Sequence, residues 1–126
     1  AHRFVPQQHG IEDILTGLVW YRRGDLLGRP ASWDQALAVV TALAVATQIP
    51  WRLPTINELE SLVDASAHTP ALPDQHSFAG VQAAYWSSTT SGFEPDWAYA
   101  LYLHKGAVGV GFKKNAEFYL WPVTAR

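Results

Sequence analysis

The stretch Trp51-Arg52-Leu53-Pro54-Thr55-Ile56-Asn57-Glu58-Leu59 constrains this chain more than any other. The ring of Pro54 crowds the residue before it and drives Leu53 out of the α region, so Trp51 to Leu53 must arrive extended. Thr55 and Glu58 have capping-box spacing: the hydroxyl can take the N–H of Glu58, and the carboxylate can reach back to the N–H of Thr55. The spacing predicts a helix that starts at Ile56, with Leu59, Leu62 and Val63 on its apolar stripe. An extended entry, a sharp corner and a capped helix define an architecture. They carry no chemistry of their own.

The remaining elements follow from the same kind of reading. The N-terminus through Gln8 is extended, and His9-Gly10 is a turn. Ile11 to Arg22 alternates loosely and reads as a strand interrupted at Gly17, while Arg22 to Pro30 has loop composition. Ser32 and Gln35 repeat the cap spacing ahead of a helix from Trp33 to about Thr47. That helix is alanine-rich and apolar nearly all round, which predicts burial on more than one side or close approach through its alanines. Asp64 to Ala84 is the longest irregular segment. From Tyr85 the pattern is β. Trp97, Tyr99, Leu101 and Leu103 face one way and Ala98, Ala100, Tyr102 and His104 the other. Lys105-Gly106 turns the chain into a strand whose Val108, Val110 and Phe112 share a face, with Gly109 and Gly111 leaving the other bare. Lys113 to Ala116 turns it again, and Phe118 to Val123 is expected to close the sheet.

The chain has 126 residues, 48% of them hydrophobic, which is enough for one domain over residues 1–126 with a substantial core. A formal net charge of −2 argues against nucleic acid as a partner, because phosphate binding draws on clustered lysine and arginine. There is no cysteine, so disulfides, thiolate metal sites and thiol nucleophiles are all excluded. The run from Ala36 to Ala46 is too short to span a bilayer and has Thr41 in its middle, so no transmembrane segment is expected. Without any methionine, the sequence reads as a processed form or an excised domain.

Thr16-Gly17-Leu18-Val19-Trp20, Ser32-Trp33-Asp34-Gln35-Ala36-Leu37, Trp51 to Val63, Tyr85-Trp86-Ser87-Ser88-Thr89 and the glycine-punctuated last strands together resemble one family. It is the C-terminal domain family of the Legionella collagen-like adhesin, and the resemblance covers nearly the whole chain. The resemblance implies an α+β, C-type-lectin-like fold in which two helices flank a small twisted antiparallel sheet, with the termini close together. It also implies a bacterial surface or secreted setting (extracellular, cell-surface or periplasmic), binding of sulfated polysaccharide, and a homotrimer. Relatives often carry cysteines in the first helix and the last strand. Here those regions read Val39-Val40 and Leu120-Trp121, so an apolar contact is expected in place of a bridge.

Residues with chemical potential are scattered. His2, His9, His68, His76 and His104 show no two-histidine helical spacing. His68, Asp74 and His76 share the long loop and offer a metal set, against the plainer reading of solvated loop groups. Ser87-Ser88 lacks a histidine and an acid in any recognised order, and strand-end hydrogen bonding is its simpler role. Arg52 is expected to tie loop carbonyls or a carboxylate together, and Trp20, Trp33, Trp51 and Trp86 to belong to the core. Glu94-Pro95-Asp96 is similar to the tripeptide that carries calcium ligands in sugar-binding C-type lectins, although the partner Trp-Asn-Asp is missing. Two carboxylates fall short of the six to eight oxygens calcium takes, so a polar turn is the reading and calcium the alternative. Enzymes that generate formylglycine resemble this fold broadly, but they depend on cysteines.

Strand directions point to a candidate binding surface, against the plainer reading of solvated turn residues with no ligand. The strand from Tyr85 ends near Ser91, the next begins at Trp97, and the third returns to Lys113. One end of the sheet is therefore expected to gather Phe93, Glu94, Asp96, Lys113, Lys114 and Asn115. The reading is a non-enzymatic recognition module with no cofactor, taking a glycan or a protein ligand there. Its alternative is an assembly domain of a larger adhesin.

Overall fold

The computed structural model describes residues 2–73 and 76–126. The fold is α+β, with two helices and two antiparallel sheets in place of the one sheet expected. β1 (Phe4–Pro6), β2 (Ile11–Asp13), β3 (Leu18–Trp20) and the last strand β7 (Val123–Ala125) form the first sheet in the order β1-β2-β3-β7. β4 (Ala84–Thr90), β5 (Trp97–Tyr102) and β6 (Ala107–Phe112) form the second as a meander. The expected strand Ile11–Arg22 is a hairpin: Thr16 and Gly17 both donate to the carbonyl of Asp13, and Gly17 takes φ +75° at the corner.

The helices start where their caps say. α1 (Trp33–Thr47) begins with the Ser32 hydroxyl on the N–H of Gln35, at 3.2 Å. α2 (Ile56–Glu60) has both halves of its capping box, at 3.2 Å to the N–H of Glu58 and 2.8 Å to that of Thr55. Leu59 and Leu62 are buried as predicted, but Leu62 and Val63 lie in tight turns beyond a helix of one and a half turns. α1 departs from expectation. Only Ala36 and Val40 are fully buried, whereas Val45 is 75% exposed and Ala38, Ala42 and Ala46 face outward. Its apolar outer flank is uncovered.

Two apolar clusters fill the interior. One gathers Trp20, Leu59, Leu62, Leu72, Tyr85, Leu101 and Trp121 under α2 and the long loop. The other sets α1, through Ala36 and Val40, over Trp51, Leu53, Trp86, Ala98, Ala100 and Phe118. The three-stranded sheet therefore buries part of both faces. The face that Gly109 and Gly111 were expected to leave bare is occupied. A Cβ on Gly109 would lie 2.1 Å from the Tyr102 ring, and one on Gly111 would lie 2.3 Å from that of Phe118. The opposite face holds Val108 and Val110, each 43% exposed.

Phe118 to Val123 does not form the closing strand. Tyr119 makes a single parallel bridge to Tyr85, Pro122 has no N–H to continue a ladder, and the chain crosses to pair Val123 with Trp20 in the other sheet. Along this crossing Phe118 and Leu120 enter one cluster while Trp121 and Val123 enter the other. Val40 and Leu120 both lie in the second cluster.

Candidate functional site

The two long motifs meet at a bulge. Between Trp86 and Thr90 the β4–β5 register shifts, which frees Ser87, Ser88 and Thr89 from the ladder. The Ser88 N–H donates to the carbonyl of Pro54 at 2.8 Å, and the Ile56 N–H donates to the Thr89 hydroxyl at 3.0 Å. The Ser87 hydroxyl donates to the carbonyl of Tyr99 at 2.7 Å, and the Trp33 indole donates to the carbonyl of Ser87 at 2.9 Å. Ser87 is thus a buried strand-end donor, as its simpler role required. Arg52 grips Glu58 with two bonds of 2.7 and 2.8 Å, and that grip holds the Glu58 carboxyl below its ordinary range. The residue spans the corner.

Trp20, Trp51 and Trp86 are buried. Trp33 is the exception among the four tryptophans expected in the core. Its ring is half-buried, and the Lys113 ammonium sits 4.0 Å above its centroid. The same ammonium donates to the Thr90 hydroxyl at 2.9 Å. Lys113 therefore fastens the end of the second sheet to the start of α1, which its carbonyl also does by accepting the Trp33 N–H at 2.9 Å. A lysine seen only in sequence gives no sign that an aromatic ring from another element lies beneath it.

The rest of the predicted end assembles around that lysine. Asp96 accepts the Lys113 N–H through its carbonyl at 2.9 Å, Trp97 donates to the carbonyl of Glu94 at 3.0 Å, and Asn115 donates to that of Phe112 at 3.0 Å. The 91–96 loop and the 113–115 turn thus lie side by side on a braced sheet end. Phe93 is 92% exposed, and Glu94, Asp96, Lys114 and Asn115 are also open to solvent. Among the described residues Lys114 makes no ion pair, and no group of three or more His, Cys, Asp or Glu is placed to hold a metal.

Sequence reasoning missed the strip beside these loops. Trp97 lies opposite Phe112 and Tyr99 opposite Val110 on the sheet face that α2 leaves partly uncovered. The Trp97 and Phe112 rings meet at 5.5 Å, both half-exposed, and continue into Val110 and Val108. The alternation showed that these side chains share a face. Nothing in it showed that the cover stops short of them.

His68 and His76 line one cavity of about 400 Å³ with Asp64 and Ser66, while Asp74 lies outside the described residues. The Asp64 carboxylate accepts the Ser66 hydroxyl at 2.6 Å and its N–H at 2.9 Å, which lowers its pKa. His76 stacks on Phe78, and its Nδ1 accepts the Phe78 N–H at 3.2 Å.

The chain is a cysteine-free α+β domain whose exposed aromatic and charged groups stand on braced loops. More particularly, the chain belongs to the Lcl C-terminal domain family, whose model matches residues 9–124. This is the C-terminal domain family of a collagen-like adhesin, consistent with a non-enzymatic adhesin module. Nothing among curated proteins and nothing among solved structures matches the chain. Among the described residues no helix is long and apolar enough to cross a membrane.

Proposed function

We propose that this domain is a non-enzymatic recognition module of a bacterial surface or secreted protein, of C-type-lectin-like architecture, and that it takes a glycan at the 91–96 and 113–115 end. One observation carries the reading: an almost fully exposed Phe93 sits on a loop locked by backbone hydrogen bonds, at the sheet end where the partly exposed rings of Trp97 and Phe112 meet. Aromatic faces offer apolar area at low conformational cost, and Glu94, Asp96, Lys114 and Asn115 supply the polar rim that fixes a hydroxylated ligand. A glycan array run with and without calcium tests this. Calcium-independent binding that Phe93→Ala abolishes supports the loop site, and an array with no hits removes it.

A second reading is favoured by the uncovered flank of α1. Ala38, Ala42, Val45 and Ala46 form an apolar surface that a neighbouring copy would cover, as in a homotrimer within a larger adhesin. Sedimentation of the wild type against Val45→Glu decides it. A trimer that the variant dissolves supports assembly, and a monomer at all concentrations sinks it.

A further inference from the structure

A second cavity, of about 410 Å³, opens on the four-stranded sheet, away from the loop end. Its floor is set by register. Glu12 lies opposite Val19, and Val19 lies opposite Thr124, so the three side chains stand in one row across β2, β3 and β7. With strands ~4.8 Å apart, the row places a carboxylate and a hydroxyl roughly 10 Å from each other, with an isopropyl group between. Ile49 and Pro50, just past α1, supply an apolar wall.

The polar groups are built in. Glu12 is only 5% exposed, and its carboxylate accepts the Gln7 amide at 2.9 Å and the Arg126 guanidinium at 2.6 Å. A carboxylate has about four lone-pair sites, so roughly two stay open. Arg126 keeps donors to spare, because its side chain is 68% exposed. The Thr124 hydroxyl is the more telling group. Thr124 is 5% exposed and lines the cavity, yet its hydroxyl makes no hydrogen bond among the described residues. The hydroxyl is open to the cavity and not sealed from solvent, so a ligand hydroxyl can take the place of water on it.

The chemistry selects the occupant. An anion meets the Glu12 carboxylate, a cation meets Arg126, and a hydrocarbon leaves Thr124 and the free lone pairs unmatched. What fits is an uncharged molecule with several hydroxyls and an apolar face to lay on Val19. We infer that this cavity binds a neutral saccharide unit. The inference stands on the first sheet and does not depend on ligand binding at the loop end.

The test is a titration of the ¹⁵N-labelled protein with methyl α-glucoside, methyl β-galactoside, methyl α-mannoside and maltose, up to roughly 50 mM, since one sugar's few contacts support only weak binding. Saturable shifts at the amides of Glu12, Val19 and Thr124 are expected with at least one of them. Tighter binding of maltose than of methyl α-glucoside marks a chain end, and equal binding marks a free sugar. Thr124→Val removes the hydroxyl at constant shape and should weaken binding about tenfold, the scale of one hydrogen bond, while Thr124→Ser keeps it. Should Thr124→Val fold poorly, Ala125→Trp, at an exposed position on the rim, fills the cavity and should abolish the shifts at unchanged Tm. No shift at these amides, equal affinity in Thr124→Val, or a preference for glucose 6-sulfate that fades with salt overturns the inference. Shifts confined to Phe93, Asp96 and Lys114 overturn it too, while leaving the loop site standing.

Discussion

The Thr89 hydroxyl accepts the backbone N–H of Ile56 at 3.0 Å, joining the bulge of β4 to the first residue of α2. The first N–H groups of a helix have no partner within it, and here a side chain 33 residues away supplies one. Thr89→Val keeps the shape and deletes the acceptor. It should cost about 1–2 kcal/mol, read as a lower urea midpoint at unchanged slope. A midpoint equal to wild type would show that water replaces the hydroxyl.

Trp86 is fully buried, and its indole N–H reaches the carbonyl of Ala31 at 2.7 Å. Trp86→Ala should destabilise by about 3–5 kcal/mol, since it opens a cavity and orphans that carbonyl. Gly111→Ala attacks the same contact from the other side by overpacking Phe118 and should cost about 1–3 kcal/mol. Thermal melts of both variants check the pair. A Gly111→Ala protein that melts like wild type would mean that the ring has room to move.

Two groups give stability a pH dependence of opposite sense. The Arg52 grip lowers the Glu58 pKa below its ordinary 4.5, so the contribution is full above pH 4.5 and is lost as pH falls through the folded value. The Arg52 side chain is 45% exposed, so the effect stays within about 1 kcal/mol. Burial raises the Tyr85 pKa well above its ordinary 10.0, so its contribution is full below pH 10.0 and is lost as pH rises beyond it. Glu58→Gln should flatten the acid limb of a stability–pH curve, and Tyr85→Phe the alkaline limb. Unchanged limbs in these variants would assign the titration to other groups.

At the loop end, Phe93→Ala and Lys114→Ala should weaken glycan binding and leave Tm within about 1 °C, because both side chains are exposed and away from any core or cap. Lys113→Ala differs. It removes a cation held over Trp33 and the bond to Thr90, so Tm should fall by a few degrees, roughly the effect of 1 kcal/mol on a domain of this size. Calorimetry of the three variants separates a binding lysine from a bracing one.

The caps at Ser32, Thr55 and Glu58 set both helix starts, and Pro54 set the extended entry to the second; all of these are local signals within four residues. The pairing of β4, β5 and β6 followed from alternation and turn residues. What stayed hidden depends on distance. The Tyr119–Tyr85 and Val123–Trp20 pairings join segments with no mark of each other in sequence, and they split the expected single sheet into two. The outer flank of α1 was unreadable for the same reason, since an apolar helix does not say which of its sides has a neighbour. The placement of Phe93, Asp96 and Lys113 at one end was legible because strand direction alone fixes it. The trapping of Lys113 was not.

The crossing of Phe118 to Val123 between the two clusters makes the order of synthesis matter. Every earlier element can emerge from the ribosome and still find both halves of the core without their common wall, because Phe118, Leu120, Trp121 and Val123 arrive last. Trp121 reaches back 100 residues to donate to the carbonyl of Tyr21, so loop closure on the scale of the whole domain precedes native packing. A nascent chain paused before Phe118 therefore carries helix caps and a hairpin but no finished interior. It stays exposed to proteases and chaperones until Phe118 to Val123 thread into place.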